Sequence, residues 1–129
     1  FQQNTEQQRA AIELRNQREE DREARLRLDE AIRGSLLELE NQWVSAQLSA
    51  RSGEIAREAL TLAREEYRLG TRSFEELRAA FQQEADTRRQ VITARHAFVD
   101  ALLALEEAVG ASLREMSATG VTGPNGSAN

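Results

Sequence analysis

The sequence predicts an all-α fold, a long antiparallel two-helix coiled-coil hairpin, on three observations. Ala, Leu, Glu, Arg and Gln dominate the 129 residues; 30% are charged, only 5% are aromatic, and the one proline is Pro124. That is the mixture of long helices and coiled coils. Apolar residues recur at three-, four- and seven-residue spacings through two long stretches. Between them the segment Tyr67-Arg68-Leu69-Gly70-Thr71-Arg72-Ser73-Phe74-Glu75-Glu76 stops one helix and starts another.

The first helix is expected over about residues 5–69. No proline interrupts it, and Gly34 and Gly53 each cost about 1 kcal/mol relative to Ala in a helix interior. If continuous, it is a rod of roughly 95 Å at about 1.5 Å per residue. From Glu13 to Glu30 only Leu14, Ala24, Leu26 and Leu28 are apolar. Farther on, Leu37 and Val44 stand seven apart, as do Leu48, Ile55 and Leu62, with Ala56, Ala59 and Ala63 beside them. The heptad spacing, with a change of register between the two runs, predicts the seam on these residues.

The reversal is expected at residues 70–72. Gly70 sits where a helix end favours a residue free to adopt the left-handed conformation. Ser73 and Glu76 have the spacing of a capping box. Arg64 and Arg68 suit the carboxyl end of the first helix, and Glu75 and Glu76 the amino end of the second.

The second helix is expected over about residues 73–116. Its predicted seam is Leu77, Phe81, Ala85, Val91/Ile92, Phe98, Leu102, Leu105 and Val109, widened by alanines. This is more apolar surface than one partner helix covers, so association into a larger bundle is expected. Gly110 is a candidate end or kink. Residues 1–116 are one hairpin domain; residues 117–129, rich in Gly, Ser and Asn without periodicity, are expected to be a flexible, disordered tail.

Nothing points to catalysis, a cofactor or a metal. His96 is the only histidine and there is no cysteine, so no His/Cys constellation can be assembled. Carboxylates four apart, such as Glu54 and Glu58, read as a solvated face. Trp43 and Phe81 read as seam packing. There is no phosphate-binding glycine loop and no nucleophile elbow. The net charge of −5 comes from 22 acids against 17 basic residues. The basic residues, all Arg, are interleaved with the acids, which gives no reason to expect nucleic acid. Phe1-Gln2-Gln3-Asn4-Thr5 is not a signal peptide.

At the reversal the residues meet a family. Ala59, Ala63, Tyr67, Gly70, Ser73, Leu77 and Ala80, then Ala94 and Phe98, then Leu105-Glu106-Glu107-Ala108-Val109-Gly110 resemble one helical half of a TolC-like outer-membrane efflux protein. Phe1-Gln2-Gln3-Asn4 with Arg9, Ala10 and Ile12 resembles the passage from a barrel strand into the long helix. The resemblance spans residues 1 to about 115.

The resemblance implies a homotrimer in which an outer-membrane β-barrel continues as an α-helical tunnel through the periplasm. Its inner end would dock onto a periplasmic adaptor and, through it, an inner-membrane pump or exporter. Tyr67 and Arg72 would hold a closed gate by bonding to neighbouring helices. Leu69, Gly70 and Thr71 would face the adaptor, and Ser73 completes the gate and docking tip. Neither a barrel-type strand nor a second helical half is found, so the chain is expected to be a segment of a longer parent. Two rivals stand beside this reading: the α-hairpin of a periplasmic adaptor, whose tip residue types Arg68, Leu69 and Ser73 echo, and a general coiled-coil interaction module.

Overall fold

A computed structural model describes residues 2–120 of the chain, apart from the Thr119 side chain. They form two helices packed against each other, α1 over Gln2–Arg68 and α2 over Phe74–Gly120, with no strand among the described residues. α1 runs unbroken through Gly34 and Gly53, and α2 through Gly110. α2 also continues as helix to Gly120, four residues past the expected end. The remainder of the expected tail, residues 121–129, lies outside the described residues.

The chain divides into two contact units. Within residues 36–104, a series of less exposed positions on α1 runs Leu39, Gln42, Ala46, Ser49, Gly53, Ala56, Leu60 and Ala63, with Ala50 and Glu66 partly covered outside it. On α2 the series is Leu77, Ala80, Glu84, Thr87, Val91, Ala94, Phe98 and Ala101, with Ala85, expected in the seam, and Ala97 partly covered beside it. Both series alternate steps of three and four, the heptad rhythm of coiled-coil packing. Leu60, Ala63 and Leu77 form its apolar cluster, with Ala80 packed against them. A Cβ on Gly53 would come within 3.1 Å of Val91 Cγ2. The glycine therefore lets the facing helix sit close, where a Cβ would require the Val91 side chain to give by a few tenths of an ångström.

This seam corrects the expected one. Leu37, Val44, Leu48, Ile55 and Leu62, the residues assigned to it on α1, are all exposed, Leu48 by 65% and Leu62 by 55%. Of the small residues beside them, Ala63 is fully buried and Ala56 nearly so, while Ala59 is exposed. On α2, Leu77, Val91, Phe98 and Leu105 lie where predicted, whereas Phe81, Ile92, Leu102 and Val109 point away. Trp43 and Phe81 are likewise exposed rather than in the seam. A small side chain in the contact lets two helices approach closely, and that places the bulky residues on the outer faces.

The second unit takes in residues 2–35 and the part of α2 from Leu105. The partly covered positions are Ala24, Leu28, Ile32 and Ser35 on α1 and Leu105, Ala108, Gly110, Ala111, Ser112 and Glu115 on α2. Residues 2–23 are exposed throughout. No helix of the described residues is long and apolar enough to cross a membrane.

Candidate functional site

The reversal lies within residues 36–104, and its geometry follows from one glycine. Gly70 has φ +79°, in the left-handed region where a Cβ is penalised. That turn lets the Thr71 N–H donate to the Glu66 carbonyl at 2.9 Å and the Gly70 N–H to the Tyr67 carbonyl at 3.0 Å. Together these are the paired bonds of a Schellman C-cap. The Thr71 hydroxyl donates to the same Glu66 carbonyl at 3.0 Å, so both donors of Thr71 close the end of α1.

α2 starts three residues later. Ser73 Oγ accepts the Glu76 N–H at 3.2 Å, and the Ser73 carbonyl accepts the Leu77 N–H, the first bond of the new helix. Only this half of the predicted capping box forms; the Glu76 carboxylate makes no return bond to the Ser73 N–H. Glu75 and Glu76 lie in the first turn of α2 and Arg68 in the last of α1, each matching the sign of the helix end.

Charged and aromatic side chains then tie the two helix ends together. Arg72 Nε donates to Glu66 Oε2 at 2.6 Å, and these side chains are only 31% and 33% exposed. Arg68 clasps Glu65 through Nε and Nη2 in an exposed pair. That pair holds the Glu65 carboxyl below its ordinary value of 4.5. The rings of Tyr67 and Phe74 meet tilted at 59°, centroids 6.2 Å apart. One turn back, the Arg64 guanidinium lies 4.9 Å from the Phe81 ring centroid, close enough for a cation–π contact.

The six residues singled out in the sequence thus fall on one reversal in distinct positions. Gly70, Thr71 and Ser73 build the turn, and Arg72 braces it. Tyr67 and Leu69 stand on its surface, where Leu69 and neighbouring Phe74 are about two-thirds exposed. The sequence reading missed Glu66 and Phe74. Glu66 is the hub: its carbonyl takes both donors of Thr71 and its carboxylate takes Arg72. The available signal was its place four residues before Gly70, where a Schellman turn brings the third-last carbonyl and the following residues together.

Elsewhere, Glu84 is a buried acid in the seam, held by Arg88 Nη2 at 2.7 and 2.6 Å. Beside it the buried Thr87 hydroxyl donates to the Gln83 carbonyl at 2.6 Å, the usual way a seam hydroxyl satisfies itself in a helix. Among the described residues no group of three or more His, Cys, Asp and Glu is placed to hold a metal. No protein family, curated protein or solved structure matches this chain.

Proposed function

We infer that this hairpin is a wall element of a TolC-like conduit, the periplasmic tunnel segment of an outer-membrane channel for tripartite efflux or type I secretion. The observation that carries the reading is the second apolar face of the hairpin. α1 spends its small residues on its own partner and turns Leu37, Val44, Leu48, Ile55 and Leu62 outward; α2 does the same with Phe81, Ile92, Val99, Leu102 and Leu103. A tunnel wall needs such a hairpin, because each one must pack against hairpins on either side as well as against itself. Large exposed apolar faces of this kind mark surfaces meant to be covered.

In this reading the chain works as part of a homotrimer, and its tip meets a periplasmic adaptor that links it to an inner-membrane pump or exporter. Leu69 and the neighbouring Phe74 offer the adaptor an apolar contact around a turn fixed by Gly70, Thr71 and Ser73. Tyr67 and Arg72 are the gate residues, and the bond that Arg72 makes to Glu66 must be exchanged for one to a neighbouring helix when the tunnel closes. A charge-assisted bond of the Arg–carboxylate kind is strong enough to hold a state and reversible enough to release it.

The test is conductance of the parent channel in planar bilayers. Arg72→Ser combined with Tyr67→Phe raises single-channel conductance at unchanged trimer content. A double variant that conducts like the parent returns both residues to a purely structural part.

A further inference from the structure

Interleaved along the sequence, the charges near the start of α1 separate once the helix forms. The partly covered positions Leu28 and Ala24, continued towards the start of the chain at the same steps of three and four, lead to Asp21, Gln17 and Leu14. The residues one place after this line are Arg15, Arg18, Arg22 and Arg25; those one place before it are Glu13, Asn16, Glu20 and Glu23. At 3.6 residues per turn, the two sets fall about 100° to either side of the line. Residues 13–25 therefore carry a basic flank and an acidic flank at the same level. Beyond them both patterns lapse, the acidic one at Arg9 and Arg27 and the basic one at Asp29.

Neither flank is neutralised within the chain. Arg15, Arg18 and Arg22 border one open concavity of α1 in which Glu19 is the only acid. Arg25 differs, since it borders a cleft with Asp29 and with Glu115 of α2. Among the described residues no ion pair involves Arg15, Arg18, Arg22, Glu13, Glu20 or Glu23; those that form lie between Arg51 and Arg89. Like charges three and four apart repel along a lone helix, so each flank is a cost until opposite charge is laid against it.

What fits each flank is the other one. A lipid or nucleic-acid surface would satisfy the arginines and leave the matching glutamates without a role. We propose that residues 13–25 form a contact between copies of this chain, with Arg15, Arg18 and Arg22 of one along Glu13, Glu20 and Glu23 of the next. A two-fold dimer sets a flank against itself, which here would oppose like charges. The match requires copies side by side, parallel and level, each turning a different flank to each neighbour. Such a head-to-tail series continues past two copies, and either closes into a ring or stays open. Charges beside a helical seam set partner choice and orientation in the same way. The contact needs only this chain and no membrane, so its failure would leave the conduit reading to the conductance test.

The experiment is sedimentation velocity of the 129-residue chain and its variants over a range of concentrations. The unaltered chain associates past a dimer. Arg15→Glu, Arg18→Glu and Arg22→Glu together weaken association by about tenfold or more, because both flanks are then acidic. Glu13→Arg, Glu20→Arg and Glu23→Arg together do the same, although they bring the net charge closer to zero, where general repulsion predicts tighter association. All six substitutions in one chain exchange the flanks and restore association, and the two single-flank variants associate when mixed. In about 1 M salt, where the screening length is about 3 Å, the variants differ little. Circular dichroism checks that each keeps its helix content. An unaltered chain that is monomeric or stops at a dimer, a single-flank variant that associates like it, or a six-substitution chain no better than the single-flank sets each overturns the proposal. So does a monomeric chain that binds phosphatidylglycerol vesicles through Arg15, Arg18 and Arg22, which assigns the basic flank to a lipid surface.

Discussion

At Gly70 the backbone conformation decides the side chain. Its φ of +79° is open to glycine and costs other L-residues about 1–2 kcal/mol. Nothing lies within 4 Å of a Cβ built there, so the whole penalty of Gly70→Ala is conformational. Gly34 is the opposite case: it sits inside α1, also with nothing within 4 Å, and alanine there gains about 1 kcal/mol of helix propensity. Urea unfolding at fixed protein concentration should therefore move the midpoint down for Gly70→Ala and up for Gly34→Ala. Shifts of the same sign in both would show that Gly70 is not holding a left-handed turn. Glu66 has no such backbone signature, which is why a reading of residue types passed over it. Its importance comes from where the turn carries its carbonyl and carboxylate, not from its own identity.

At the scale of the helix, size rather than hydrophobicity settles which stripe faces inward. Leu62 and Ala63 are adjacent, and the larger one is outside. Ala63→Leu forces a bulky side chain into a contact with no exposed surface, an overpacking that costs about 1–3 kcal/mol. Leu62→Ala removes a side chain that touches mainly solvent in the single chain, so its effect stays within about 0.5 kcal/mol. Chemical denaturation of the two variants separates the alternatives, and a more damaging Leu62→Ala would restore the seam to the leucines. Helix content, the reversal at Gly70 and the Ser73 cap were legible from the chain because each depends on neighbours a few residues away. The face of α1 was not. Two apolar stripes share that helix, both at heptad spacing, and local sequence does not rank them. The ranking comes from how closely α2 can approach, which is set where Gly53 meets Val91 and where Leu60 and Ala63 meet Leu77 and Ala80. Trp43 and Phe81, likewise expected in the seam, stand outside it.

At the scale of the molecule, coverage is uneven, and that uneven coverage yields a prediction about order. The residues buried most deeply, among them Ala56, Leu60, Ala63, Leu77, Ala94 and Ala101, all belong to residues 36–104. In residues 2–23 every position is exposed, and with few apolar residues this stretch of α1 has only helix propensity and local pairs to hold it. Helix without tertiary packing is marginal in water, and isolated ion pairs add only about 0.2–0.5 kcal/mol each. Amide hydrogen exchange of the separate chain should accordingly show fast exchange over residues 2–23 and the slowest exchange around Leu60 and Ala94, since local opening free energy follows buried contact. If the hairpin is a tunnel wall, residues 2–23 gain protection in the assembled parent, where neighbouring helices supply the missing contacts. Protection of residues 2–23 in the separate chain equal to that at Leu60 would mean that this segment needs no neighbour. That result would remove the main reason for placing it in a larger assembly.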